Sequence, residues 1–523
     1  MRRSFRVALL FLGPVSSMAC GGSYARTGGS PYPMAASRTS MSAHASMPAV
    51  APTDVAPIGT GEPTAQGGTE PYTDYGVNPV TDASRDHLST FAIDVDTASY
   101  SISRRFLREG SAPPPQAVRA EEFLNSFAYD YAAPKEGAFT VHMDGAPSPF
   151  EQGHHLVRVA LQGKQVTAAE RKAVHLVYLV DTSGSMQGAD RIELAKKSLR
   201  MLTDTLKPGD TVALCTYAGS VRLVLEPTGV DKRTKIFAAI EDLTASGSTA
   251  MASGIELAYK LASQTAVAGQ VNRVVVLSDG DANVGNTSHE DILKTIAQYK
   301  DRGITLSTVG FGSGNYQDTM MEQLADKGDG NYSYIDDESQ ARRVFGEQVD
   351  GLLQVIARDV KVQVDFDPKE VKEYRLIGYE NRDVADKDFR NDRVDGGEVG
   401  AGHSVTAMYD VVFQPNRQGS PITVRVRAKP PTGSEKAAES AFVMGPAAIA
   451  ASFDAAPESF RFAAAVTGFA ELLRKSPHAK TYGFADVAKI ADASTGNRAE
   501  RKELAELVRR AAQLSGGDKA LAK

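Results

Sequence analysis

Four nearly continuous apolar runs, "VHLVYLV", "TVALCTY", "RVVVLS" and "ITLSTVGF", constrain the fold of this chain more than any other feature. A strand with one wet face alternates apolar and polar residues. A strand covered on both faces reads as an unbroken apolar run. Amphipathic stretches separate these runs. After the first of them, Ile192, Ala195, Leu199, Leu202 and Leu206 recur at spacings of three and four, which predicts a helix with one buried face. Strands alternating with helices over 172–357 predict an α/β domain, doubly wound around a mostly parallel, Rossmann-like sheet. "SVRLVLEP" follows "TVALCTY" too closely for a crossover, so it is expected to return antiparallel as a hairpin.

The flanks follow a different pattern. In "HHLVRVALQG", Val157, Val159 and Leu161 alternate with Arg158 and Ala160, which predicts a half-buried strand. Val360, Val362, Val364 and Phe366 alternate with polar residues in the same way, as do Ile422, Val424 and Val426. These strands are expected to form β-rich segments around the α/β domain, which would be inserted between them. From Glu458 onward the pattern is helical, with Phe462, Val466, Phe469 and Leu473 on one face. The expected parts are an N-terminal α+β region over 77–171 and a C-terminal domain over 358–523, β-rich and then helical.

The first twenty residues place Arg2, Arg3 and Arg6 before an apolar stretch and then small residues up to Cys20, the layout of a secretory signal peptide. "SMAC" followed by "GG" resembles the bacterial lipobox, which implies a lipid on Cys20 and a membrane anchor. Gly21 is not the Asp that retains lipoproteins at the inner membrane, so the outer membrane is expected. Residues 21–76, rich in Gly, Ser, Pro and Ala, lack apolar periodicity and predict a disordered tether with an r.m.s. reach of roughly 40 Å. Cys215 lies inside an apolar run and reads as a buried hydrophobe. The net charge of −6 gives no reason to expect nucleic acid as a partner.

In an open α/β sheet, ligands sit at the carboxyl ends of the strands. Asp181 ends the first apolar run, and Ser183 and Ser185 follow it on the loop. Thr249 lies in the Gly/Ser-rich turn "TASGSTAMASG", and Asp279 ends the run "RVVVLSD". Two carboxylates and three hydroxyls make an all-oxygen set, suited to a hard cation and not to zinc. D-x-S-x-S, a later Thr and an Asp after a buried strand together resemble the von Willebrand factor A domain and its metal-ion-dependent adhesion site. The resemblance implies that Ser183, Ser185 and Thr249 ligate Mg²⁺, with Mn²⁺ or Ca²⁺ as alternatives. Asp181 and Asp279 would act directly or through water. It also implies an open position for an Asp or Glu of a partner protein of the envelope or cell surface. "STFAIDVDTASYSISRRFL", "DGDANVG" and "TAMYDVVF" extend the resemblance to a group of bacterial lipoproteins with such a domain between a characteristic N-terminal region and a C-terminal domain.

Other candidates carry less. Asp94 and Asp96, in "FAIDVDT", would share one strand face, which offers a second cation site as the alternative, and are expected to be a solvated strand end. His154 and His155 are adjacent and should point to opposite faces, a poor metal site. A metal-assisted hydrolase would need a general base that the sequence does not identify, and an envelope scaffold would need no metal. A binding module, not an enzyme, is the expected function.

Overall fold

A computed structural model describes residues 70–280, 289–431 and 436–516. Cys20, the signal-like stretch, residues 21–69 of the tether and Asp281 lie outside the described residues. The N-terminal part contributes β1 (Thr81–Asp82), β2 (Leu88–Ala92), α1 (Ala98–Arg108), α2 (Ala120–Asn125), β3 (Phe139–Pro147) and β4 (His155–Gly163). The α/β part begins with β5 (Val174–Asp181), α3 (Ile192–Thr205), β6 (Thr211–Tyr217), β7 (Val221–Gly229), α4 (Arg233–Glu241) and α5 (Met251–Thr265). It continues with β8 (Val271–Ser278), α6 (His289–Lys300), β9 (Ile304–Phe311), α7 (Asp318–Lys327), β10 (Tyr332–Ile335), α8 (Glu338–Arg342) and α9 (Val349–Leu353). The C-terminal part holds β11 (Val355–Phe366), β12 (Val371–Ile377), β13 (Gly397–Gly400), β14 (Ser404–Phe413), β15 (Ile422–Lys429) and β16 (Ala438–Val443). It ends with α10 (Glu458–Leu473), α11 (Phe484–Asp492) and α12 (Ala499–Leu514).

The central sheet has the order β10-β9-β8-β5-β6-β7, parallel except for β7, which returns antiparallel on β6. Leu176, Tyr178 and Val180 of β5 face a core shared with α3, while Val177 and Leu179 face a second core shared with α5. Both faces are therefore dry, which is why the run is unbroken. Each fully buried aliphatic side chain stabilises the fold by about 1.5–3 kcal/mol over exposure. Cys215 on β6 belongs to the α5-side core, and burial pushes its thiol up to about 12, so it is a packing residue.

The flanking segments do join across the α/β part. Strands β1, β12, β14, β4 and β3 form one antiparallel sheet in that order. Strands β13, β11, β15 and β16 form another, with β2 also paired to β11. Their inner faces share one core, including Phe91, Val159, Val362, Val405 and Val424. The inserted part is clasped at its base, where the Lys172 amide donates to Gln354 Oε1 and Gln354 Nε2 donates back to the Lys172 carbonyl, both at 3.1 Å.

Three expectations are corrected here. First, β4 is not half-buried, because α2 and α10 cover the outer face of its sheet. Arg158 is 4% exposed, and it is held there by a bidentate pair with Asp144 at 2.8 and 2.6 Å and by the rings of Tyr131 and Phe460. Second, Asp94 and Asp96 are not a solvated strand end but are 4% and 3% exposed. The Arg382 guanidinium lies 3.2 Å from Asp94, 3.4 Å from Asp96 and 2.9 Å from Asp326 on α7, so all three parts of the chain meet there. Third, the last residues of the expected tether are packed. Tyr72 is 3% exposed among Tyr316, Met321 and Tyr334, and Glu70 pairs with Arg105 at 2.7 Å. His154 and His155 diverge as expected, His154 toward Asp410 at 2.8 Å and His155 onto the Phe413 ring.

Candidate metal centre

Asp181 is the last residue of β5, and the parallel pairing of β5, β6 and β8 brings the loops after them to one edge of the sheet. The loop turns immediately. Asp181 Oδ1 accepts the Ser183 amide at 2.9 Å, and Oδ2 accepts the Ser278 hydroxyl at 2.8 Å. This locks the carboxylate in place. Ser183 Oγ and Ser185 Oγ lie 2.9 Å apart, so the alternating hydroxyls converge on the same side of the turn.

The Thr249 loop is stitched on by backbone bonds. The Gly184 amide donates to the Gly247 carbonyl at 2.8 Å, and the Ser246 amide donates to the Thr182 carbonyl at 2.7 Å. Asp279 follows β8 and is close enough to Asp181 for its charge to raise the Asp181 proton affinity. The turn past it needs Gly280, whose φ is +74° and where a Cβ would lie 2.7 Å from the Gln317 amide nitrogen. The five sequence-expected residues thus come from three loops of one sheet edge. Asp181, Ser183, Ser185 and Asp279 are linked directly by hydrogen bonds or charge, and Thr249 through its loop backbone.

Burial, the largest effect, pushes the Asp181 carboxyl up to about 6. The Ser183 bonds oppose this, Asp279 adds to it and Ser278 opposes it. Two buried, mutually repelling carboxylates beside two converged hydroxyls form a donor set that fits a divalent hard cation, with Asp181, Ser183, Ser185, Thr249 and Asp279 as the residues that would hold it. Two supporting residues were not foreseen from sequence. Ser278 anchors Asp181, and Arg191 donates to the Ser185 carbonyl at 2.7 Å and the Ser313 carbonyl at 2.6 Å. Ser278 stands next to Asp279 in "LSDG" and was open to inspection, whereas the reach of Arg191 to Ser313 is tertiary.

The edge geometry and the sheet order define a von Willebrand factor type A domain protein. The family described as von Willebrand factor type A domain matches residues 175–347, that described as von Willebrand factor matches 66–158, and that described as uncharacterized protein YfbK, C-terminal, matches 351–514. The chain is 36% identical over 477 residues to YfbK of Escherichia coli (strain K12), covering 85% of this chain and 82% of that protein. It therefore belongs to the YfbK family. A second relative, sll0103 of Synechocystis, is 28% identical over 225 residues, covering 43% of this chain and 51% of that protein. Among solved structures, a von Willebrand factor type A protein from Catenulispora acidiphila aligns with TM-score 0.43 and 16% identity, covering 73% of this chain and 91% of that one. The ArnB paralog VWA2 from Sulfolobus acidocaldarius aligns with TM-score 0.36 and 15% identity, covering 72% and 98%.

Proposed function

We propose that this protein is a lipid-anchored, extracytoplasmic binding protein whose sheet edge holds a divalent cation, Mg²⁺ in the first place, and captures an Asp or Glu of a partner protein. The observation that carries the reading is the locked oxygen set: Asp181 fixed by Ser183 and Ser278, with the Ser183 and Ser185 hydroxyls turned to one point. Two carboxylates formally balance a divalent ion, while hydroxyls ligate without adding charge. The bound cation would supply the positive charge that takes up a third, external carboxylate. The chain's own part is to hold the oxygens in place, with Asp181 locked by Ser183 and Ser278. Both carboxylates at the site among the described residues are assigned as ligands, which favours binding over hydrolysis. Cys20 is proposed as the lipid attachment residue, with the outer membrane as its location.

Titration calorimetry with Mg²⁺ and Mn²⁺ tests the core of this reading. Wild-type protein should bind one ion, and Ser183→Ala and Thr249→Ala should bind more weakly with the fold intact. Equal heats from wild type and Asp181→Ala would exclude the site. A metal-dependent pull-down from envelope extract, lost in Asp181→Ala, would identify the partner.

A further inference from the structure

The opposite edge of the central sheet, where β8 and β9 begin, borders a cavity of about 830 Å³ between the α/β part and the C-terminal segment. Pockets of this size hold small ligands. Its wall includes Arg273, which is 1% exposed. The guanidinium donates to Thr305 Oγ1 at 2.9 Å, to Ser307 Oγ at 3.1 Å and to the Leu352 carbonyl. All three acceptors are neutral. Among the described residues no carboxylate lies within 4.0 Å of Arg273, and its Nη2 carries no hydrogen bond. A buried charge without a counter-ion is costly and calls for a partner.

Acidic groups line the same cavity. The carboxylates of Asp329, Asp395 and Glu398 come within 4.8 Å of one another on the same cavity wall. Lys300 serves them, at 2.9 Å from Asp329 and 3.1 Å from Asp395, and the Arg358 guanidinium on the same wall also favours the charged form of Asp329. Glu398 forms no ion pair among the described residues, and burial followed by its two acidic neighbours holds its carboxyl well above the usual range. Glu398 and Asp329 are near enough to Arg273 to favour its charged form, yet burial still wins and brings its guanidinium down to about 10. The cavity wall therefore carries a buried guanidinium and an acidic trio with no ion pair between them among the described residues.

We propose that this cavity binds a small zwitterion of amino-acid or short-peptide size, with its carboxylate on Arg273 and its ammonium on Glu398 and Asp329. A dipolar ligand brings a carboxylate to Arg273 and an ammonium to the trio, and that ammonium would favour the charged form of Glu398. An anion alone would face the acidic trio, and a cation alone would leave Arg273 as it is. The guanidinium is suited to a bidentate carboxylate contact.

The test is calorimetric titration of the full chain in EDTA, which removes any contribution from the metal edge. The probes are glycylglycine, acetate, methylamine and inorganic phosphate. Glycylglycine should bind saturably at one site, with acetate and methylamine each weaker by at least about tenfold. Glu398→Gln and Arg273→Gln should each weaken glycylglycine by at least about tenfold, while Asp181→Ala leaves it unchanged. Arg273 also ties β8 to Leu352, so if Arg273→Gln does not fold, Glu398→Gln decides. No binding of glycylglycine, equal binding of acetate alone, preference for phosphate, or unchanged affinity in Glu398→Gln would each overturn the proposal.

Discussion

Glu121 on α2 is 1% exposed, with Oε2 accepting the Tyr379 amide at 3.0 Å and Oε1 without a hydrogen bond. Burial, then the charges of Glu380 and Asp94, push its carboxyl up to about 8 from an ordinary value of 4.5. Below that ordinary value both folded and unfolded chains hold the proton, and stability from this group is at its greatest. Between the two values only the folded chain holds it, so stability falls as pH rises and levels off above the upper value. The total is on the order of a few kcal/mol. Glu121→Gln should flatten this decline, and urea midpoints measured across that window for both proteins check it. At this scale the candidate site was legible because its chemistry is local: Asp181, Ser183 and Ser185 stand two residues apart on a loop after a strand. Arg191, Arg273 and Arg382 were not, since an arginine's partners are chosen by what the fold brings near it.

Elements were legible where burial imposes a period. The apolar runs became β5, β6, β8 and β9, and the repeat from Ile192 became α3. Two features escaped for the same reason: their burial is not periodic in the strand or loop itself. Strand β4 carries Arg158 on a face covered by segments far along the chain, with Phe460 of α10 over its guanidinium. The segment from Glu70 is fixed by single anchors. Tyr72 fills a gap among aromatic rings, and Glu70 also accepts the Gly314 amide at 2.6 Å, next to the Ser313 carbonyl held by Arg191. Tyr72→Ala should cost about 3–5 kcal/mol locally. Limited proteolysis should then cut near residue 72 much faster than in wild type while the central sheet stays protected. Equal cutting rates would show that the segment is not held by this ring.

At the scale of the molecule, the α/β part carries its own two cores, one on each face of its sheet, and its ends are clasped by Lys172 and Gln354. A fragment of residues 172–357 should therefore unfold cooperatively by circular dichroism without metal. A fragment of residues 77–171 should not, because β2 lacks β11 and β4 lacks β14. This insertion has a consequence for biosynthesis. The side chain of Asn125 must await the amide of Thr406, 281 residues further along. At roughly 5–20 residues per second, the ribosome needs on the order of tens of seconds to supply that partner. During that interval β4 lacks β14 and β2 lacks β11, while the α/β part can fold as soon as it is made. Nascent chains should therefore depend on a chaperone for residues 77–171 and not for the segment synthesised after them.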